Sequence, residues 1–471
     1  MFARDFLYKT NTIFVLLFFT VVLSRIPFLF CGYGVEEDSW GIALAAFYTK
    51  LSGIYEPSRL PGHPVQELIY SALWGAGPLV FNGLCAVFSG ITTVYFALIL
   101  KHLNFTHFFL AALAFAFIPV FYISSTYTID FVWTEAFVLM SFYYLLKEKY
   151  ILTGLLLGLA IGCRITSGAM LLPFMIVVWQ NDNLKQNFVK LLKIGVPMAV
   201  ISILAFVPVI KQFGLSFFMY YDQFPYPPFL KVMYKMVIGV FGLVGTLAII
   251  VTTLLIVFNR KKITFGQLFQ RSLDKRILTA SYVIIILFII SYFRLPQKSG
   301  YMIPVLPCLI LLFGYYASSN YFKALCIALI VAPFICSINL TDKLRGATYS
   351  KYSIITHVAG QEIFFDPFSG PIFSDYSKRK LKINYTNSVL QKVDTINQKT
   401  VVIAGWWYNQ IMVELIEKNR NNFVIFEFYI DAVKIEKYLS EGYKICYLPE
   451  QNIYNDLMYK MNITNTVSTE F

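Results

Sequence analysis

The chain has 471 residues, of which 58% are hydrophobic, 18% aromatic and only 14% charged. A soluble domain carries about 25% charged residues, and the mean hydropathy of +0.63 excludes that class in favour of an integral membrane protein. The formal charge of +13 invites a nucleic-acid reading, but inside loops facing anionic lipid explain it more simply. Membrane lipids are therefore expected as partners, and nucleic acid is not.

The first apolar run, 11–31, is too long for a signal-peptide core and lacks a small-residue cleavage site, so it reads as a retained span. Further runs of span length lie near 75–99, 107–124, 131–146, 150–163, 165–180, 191–209, 234–258, 277–293, 301–317 and 323–340. This makes about eleven transmembrane helices. The short pair flanking Arg164 is either two tight helices or one long broken one, and it decides the parity of the count. One alternating set of loops holds Arg4, Lys9, Lys101, Lys147, Lys149, Lys185, Lys190, Lys193, the basic cluster in 260–276 and Lys323. The positive-inside rule makes that set cytoplasmic. The N-terminus is then inside and everything after Leu340 outside. Seven cysteines show no metal-binding spacing and are silent on redox compartment.

Three domains are expected. Residues 1–340 form the transmembrane part, with a first outer loop over 32–74. Residues 341–398 read as a linker or irregular outer segment. Residues 399–471 read as a small α/β domain: "VVIAG", "FVIFEF" and "YKICYLP" have buried-strand patterns. They alternate with the helical "WWYNQIMVELIEKN", "AVKIEKYLSEG" and "NIYNDLMYKM", which suggests three parallel strands. Gly405 alone is no nucleotide fingerprint, since GxGxxG is absent, and an accessory domain without its own chemistry is the plainer reading.

The chemistry-bearing residues gather on the outer side. Glu36, Glu37 and Asp38 in "GVEEDSWG" sit just beyond the first span, and His63 in "SRLPGHPVQE" follows in the same loop. Asp130 in "SSTYTIDFVWTE", Arg164, and Arg294 and Lys298 in "YFRLPQKSG" lie at outer ends of later spans. Carboxylates at a membrane edge are costly and imply work. Each has an ordinary alternative. Asp38 and Asp130 could cap helices, Arg164 could tie two short helices or meet a lipid headgroup, and Arg294 and Lys298 could snorkel.

Four blocks carry a family likeness: "VEEDSWGIALAAFYTKLSGIYEPSRLPGHPVQE", "SSTYTIDFVWTEAFVLMSFYYL", "YILTGLLLGLAIGCRITSGAMLLP" and "YFRLPQKSGYMIPVLPCLILLFG". In this order, over about residues 10 to 340, the chain resembles the polytopic GT-C glycosyltransferases. The likeness is greatest to the protein O-mannosyltransferase and lipid A aminoarabinose-transferase branch. The resemblance implies an all-α polytopic GT-C fold, here with the small C-terminal α/β extramembrane domain. Its acidic pair falls on Glu37 and Asp38, followed by Trp40, with Glu36 leaving the register open by one. Its second acidic site falls on Asp130. Relatives usually carry arginine before the late-loop aromatic, whereas this chain has Gly300 before Tyr301, which shifts phosphate binding to Lys298 or Arg294. The last 130 residues fall outside the likeness.

What the resemblance implies is an enzyme: an inverting glycosyltransferase using a polyprenyl-phosphate-linked sugar and an outer-face acceptor, whether protein, lipid or glycan. Arginine or lysine stabilises a leaving phosphate, and a hydroxyl acceptor needs a carboxylate within hydrogen-bond reach. Glu37, Asp38 and Asp130 are the expected catalytic residues, with Glu36, His63, Arg164, Arg294, Lys298 and Tyr301 binding substrate. Any divalent cation, Mg²⁺ or Mn²⁺, would take oxygen ligands from Glu37, Asp38 and Asp130, but the sequence requires no cofactor. A transporter or flippase for a lipid-linked substrate is the alternative from another class; its sites usually lie mid-span, not in outer loops. A non-catalytic scaffold is the third. The Lys-, Asn- and Tyr-rich composition suggests a bacterial inner membrane with a periplasmic site.

Overall fold

The computed structural model describes residues 2–179, 183–215, 226–340, 352–358, 361–418, 423–448 and 469–471. Most of the chain is helical, and each of the eleven apolar runs contains a helix. Among the described residues six helices are long and apolar enough to cross a membrane: Asn11–Phe28, Gly77–His102, Leu184–Phe213, Ile238–Phe258, Lys275–Arg294 and Ser299–Tyr316. The other five are shorter apolar helices: Phe108–Phe117, Phe131–Leu146, Tyr150–Cys163, Ile165–Val178 and Ser319–Val331. The long helices are compatible with a multi-pass membrane protein.

In chain order the helices used below are α1 (Phe2–Arg25), α2 (Glu37–Ser52), α3 (Pro64–Ala72), α4 (Gly77–His102), α5 (Phe108–Phe117), α6 (Pro119–Ser124), α7 (Phe131–Leu146) and α8 (Tyr150–Cys163). They continue with α9 (Leu171–Val178), α10 (Leu184–Phe213), α11 (Phe229–Met236), α12 (Ile238–Phe258), α13 (Lys275–Arg294), α14 (Leu306–Tyr316) and α15 (Ser319–Val331). Helix α4 packs between α1 and α7, and α8 between α7 and α10. The run 107–124 breaks because Pro119 forces Ile118 out of the helical region (φ −57°, ψ 128°). The pair around Arg164 is likewise two pieces. Arg164 itself is extended (φ −152°, ψ 117°), and a 3₁₀ turn, Ile165–Met170, leads into α9.

The segment between α1 and α4 holds two shorter helices, α2 and α3. Arg25, at the end of α1, is fully buried against Tyr122 at 4.2 Å from the ring centre and donates to Ser125 Oγ at 3.0 Å. It ties α1 to α6 although the surrounding run reads as apolar.

Two boundaries differ from expectation. The last apolar helix ends at Val331, and Ser337–Leu340 is a strand, β1, paired antiparallel with β3 (Gln361–Asp366), Ser337 opposite Asp366. Hydropathy does not separate "SINL" from a helix end. The segment 341–398, expected as a linker, is instead regular where it is described. It contains β2 (Ile354–Val358), β3 and the 23-residue α16 (Pro371–Val393), with β1–β3–β2 forming an antiparallel sheet.

Beyond it, β4 (Thr400–Ile403), β5 (Val424–Glu427) and β6 (Lys444–Tyr447) are the three parallel strands, in order β5–β4–β6, with the two-residue β7 (Thr469–Glu470) beside β6. Alternate residues of β4 feed two small cores. Val402 joins Trp407 and Ile411 of the region leading into α17 (Tyr408–Lys418), while Val401 and Ile403 join Ile435 of α18 (Ala432–Ser440). The helix expected over "NIYNDLMYKM" lies outside the described residues.

This C-terminal part is fastened to the helical body by buried polar contacts. Arg379 of α16, 1% exposed, donates to the carbonyls of Phe28 and Thr126, each at 3.0 Å, and to Thr126 Oγ1 at 2.6 Å. Asp375 pairs with it one turn earlier at 2.8 Å. Removing one partner of a buried pair strands the other charge, at about 3–5 kcal/mol. R379A should therefore lower the thermal unfolding temperature in detergent and expose α16 to protease. Unchanged melting and protease resistance would show that Arg379 does not hold the two parts together.

Candidate functional site

Glu36 is the N-cap residue of α2, with Glu37 and Asp38 in the first turn, where the helix dipole favours acids. No side chain makes a capping hydrogen bond there. The same holds at Asp130, the N-cap residue of α7. The acids bind cations instead, which sets aside the cap reading for both places.

The cations come from distant segments. Arg59 pairs with Asp38 through one nitrogen and donates to Asp130 Oδ1 at 3.2 Å through another. Lys298 pairs with both Asp38 and Glu36. Arg164 donates to Asp130 Oδ2 at 2.6 Å. Its guanidinium also lies over the rings of Phe131 and Tyr301, at 4.7 and 4.9 Å. The result is one continuous network, Glu36–Lys298–Asp38–Arg59–Asp130–Arg164.

Arg59 was not singled out from the sequence, yet it joins the two acidic sites. A base in the 32–74 segment, between the acids at 36–38 and Glu67, was the available signal. The loop carrying it is pinned by Glu67 of α3, whose carboxylate accepts the backbone N–H groups of Ser58 (3.1 Å) and His63 (2.9 Å) and the Tyr55 hydroxyl. Gln66 donates to the Ile129 carbonyl at 2.9 Å, which sets α3 beside Asp130.

Burial raises the Asp38 carboxyl, but Arg59 and Lys298 outweigh it and hold the group well below the usual carboxylate range. Burial acts likewise on Asp130, where the Arg164 and Arg59 cations outweigh it and keep it ionised. Glu37 behaves oppositely. Its burial dominates over the nearby Lys382 ammonium and the Asn409 N–H, and its carboxyl is pushed up to about 7. It accepts the backbone N–H of Asn409 at 3.2 Å and lies 3.7 Å from Lys382, whose ammonium donates to the Val35 carbonyl at 3.1 Å. Lys382 belongs to α16, in the segment expected as a linker or irregular stretch, and Asn409 to the 399–471 α/β part that the sequence offered as an accessory.

Two cavities flank the 297–300 turn. The first, about 420 Å³, is lined by His63, Arg164 and Arg294 together with Phe131, Phe288 and Tyr301. The second, about 300 Å³, is lined by Glu36 and Lys298 among others, and shares Gln297 and Gly300 with the first. Arg294 and Lys298, paired as phosphate ligands on sequence grounds, thus face different cavities. Lys298 is an ion-pair partner of the acids rather than a snorkelling surface residue. Glu37, Asp38 and Asp130 line neither cavity, and Asp38 reaches the second through Lys298.

His63 Nδ1 lies 2.6 Å from the Cys163 carbonyl, which can only accept, so Nδ1 carries the proton. Nε2 is then an acceptor, buried and without a hydrogen-bond partner among the described residues. Burial and Arg59 lower the His63 pKa against the pull of Asp130, favouring this neutral form. A cavity-bound hydroxyl would be its natural donor. Gly300 is explained by contact: a Cβ there would run into the Phe131 ring. Arg164 occupies the adjoining space against the same ring.

Among the described residues no three His, Cys, Asp or Glu side chains are grouped to hold a metal ion. Glu37 stands apart on Lys382 and Asn409, while Asp38 and Asp130 are matched to arginine and lysine. The three carboxylates do not fit the divalent-cation site considered for them.

Comparison with models of known protein families finds none that matches the chain, and comparison with curated proteins finds no match either.

The raised Glu37 carboxyl has a consequence for stability. From its ordinary value of 4.5 up to about 7 the folded chain keeps a proton that the unfolded chain releases, so this group's contribution falls as pH rises across that window. Asp38 and Asp130 act with opposite sign and at lower pH, losing their contribution as the medium becomes acid enough to protonate them in the fold. E37Q should flatten the dependence of unfolding temperature on pH between about 4.5 and 7. An identical slope in wild type and E37Q would show that Glu37 does not titrate there.

Proposed function

We propose that this chain is an inverting glycosyltransferase of the GT-C type, moving a sugar from a polyprenyl-phosphate donor to a hydroxyl acceptor at the outer face of a bacterial inner membrane. In this reading all eleven apolar helices are spans, the N-terminus is cytoplasmic and the part after Leu340 is periplasmic. The observation that carries the proposal is the network of three carboxylates and three cations beside a cavity whose wall combines two arginines with aromatic rings. Pockets for ligands of this mixed kind are mostly apolar with a few placed polar groups.

The donor phosphate lies on Arg164 and Arg294, its isoprenoid along Phe288 and neighbouring apolar surface. The acceptor oxygen attacks the anomeric carbon as its bond to the phosphate oxygen breaks. The phosphate leaves with the electron pair, and the hydroxyl proton passes to Asp38. A carboxylate clamped by Arg59 and Lys298 is a poor base until an anion competes for those cations. Glu37, turned toward the outer part, orients the loop, and Asp130 holds Arg59 and Arg164 in place.

One observation favours the transport alternative. Glu135, one turn inside α7, is 1% exposed, and neither carboxylate oxygen has a partner among the described residues. A mid-helix carboxylate is what a transport pathway asks for. It borders a separate cavity of only about 40 Å³ with apolar walls, too small for a sugar.

Transfer from a polyprenyl-phosphate sugar by purified D38N, D130N and E37Q, with thermal unfolding in parallel, tests the reading. D38N should lose about 10²–10⁴-fold in rate while still binding donor. D130N should also be strongly impaired because two arginines lose their anchor, and E37Q less so. Near-normal turnover in D38N and D130N would overturn the carboxylate mechanism. Loss of substrate movement in E135Q, with D38N unaffected, would favour transport. For topology, a reporter fused after Leu340 should read as exported and one within 260–276 as cytoplasmic. The same side for both would refute the eleven-span arrangement.

A further inference from the structure

The second cavity plays no part in the donor chemistry just described, yet its walls are specific. Helix α11, the start of α12, the 297–300 turn, β1 and the start of α16 enclose it, so the helical body and the outer part build it jointly. Tyr234 of α11 donates to the Ile338 carbonyl of β1 at 2.6 Å, and Asn339 Nδ2 donates to Ser374 Oγ at 3.2 Å. These bonds fix the two sides relative to each other.

The lining side chains include three lysines, Lys235, Lys298 and Lys378, against two acids, Glu36 and Asp375. Both acids are already matched: Glu36 pairs with Lys298, and Asp375 pairs with Arg379 behind the wall. Lys235 differs from the others. Its ammonium donates to the Gln297 carbonyl at 2.5 Å, and no carboxylate among the described residues lies within ion-pairing distance. An ammonium has three protons to donate and no acceptor, so most of its capacity is left for a ligand.

We propose that this second cavity binds the phosphate-bearing head of the acceptor, with Lys235 as its principal cation and Lys298 and Lys378 beside it. Several ammonium groups suit an anion offering several oxygens, while Ser337, Asn339 and Ser374 supply neutral polar groups for an attached glycerol or sugar. A volume of about 300 Å³ is at the lower end for small-molecule sites, which fits a head group and not a long chain. The position suits an acceptor because Lys298 reaches from this cavity to Asp38, and Gln297 and Gly300 separate it from the first cavity. The acceptor role rests on the transferase reading; the anion site does not.

The test uses the full chain in nanodiscs of phosphatidylcholine alone, titrated with glycerol 1-phosphate and with inorganic phosphate by calorimetry. Wild type should bind glycerol 1-phosphate saturably, K235M should bind it about tenfold or more weakly, and K235R should retain most of the affinity. R294A, altered in the first cavity, should leave this affinity unchanged. Equal binding in K235M, no binding in wild type, or loss in R294A with K235M unaffected would each overturn the proposal. Melting curves of K235M and K235R guard against misfolding, since K235R preserves the charge. Nanodiscs containing phosphatidylglycerol distinguish the sources: competition with glycerol 1-phosphate identifies a lipid head group, and its absence a soluble or glycan phosphate. In a transfer assay K235M should raise the acceptor KM and leave the donor KM alone. Wild type that binds phosphate but transfers no sugar would defeat the transferase reading and spare the anion site.

Discussion

Arg59 holds two carboxylates at once, Asp38 from the first helix of the outer loop and Asp130 from the start of α7. Neither acid could stay ionised where it is without a cation, because removing a charge from water costs several kcal/mol that only close pairing returns. The guanidinium in turn needs both acids to be tolerated at 10% side-chain exposure. Lys298 and Arg164 attach to these two carboxylates, and Glu36 joins through Lys298. Lys298 brings in the turn after α13, and Arg164 brings in the break between α8 and α9. The site is therefore a charge-balance problem whose solution requires four segments to meet.

The outer part belongs to that solution. Lys382 and Asn409 approach Glu37, and the Tyr33 hydroxyl donates to Glu417 of α17 at 2.8 Å. Arg379 secures Phe28, the last residue of the 3₁₀ turn Ile26–Phe28, and Thr126, shortly before Asp130. The acidic loop is thus held from outside as well as from within the helical body. A part that looked like an accessory braces the residues assigned the chemistry.

Division of the space follows from the 297–300 turn. Gly300 lets it press against Phe131, and the cation that stacks on that ring is Arg164 rather than a residue of the turn. The first cavity gains two arginines and aromatic walls, the second a cluster of lysines with hydroxyl and amide groups. Asp38 is tied to the second cavity by Lys298 and to Arg164 of the first through Arg59 and Asp130.

Local patterns sufficed for much of this. Long apolar runs declare helices because each carries its own signal, and the strands of "VVIAG", "FVIFEF" and "YKICYLP" declare themselves through continuous buried residues. The acids at 36–38 and 130 stood out because charge at the end of an apolar run is costly. Helix α16 did not. The face it buries includes Ser374, Arg379, Lys382 and Thr386, since it packs on polar loop ends, and a search for an apolar stripe passes over it. Sequence by itself determined which segments are apolar helices and which residues carry charge at their ends. Only tertiary structure decided which charges meet, because ion pairs such as Lys298 with Asp38, 260 positions apart, follow from packing and leave no periodicity to read.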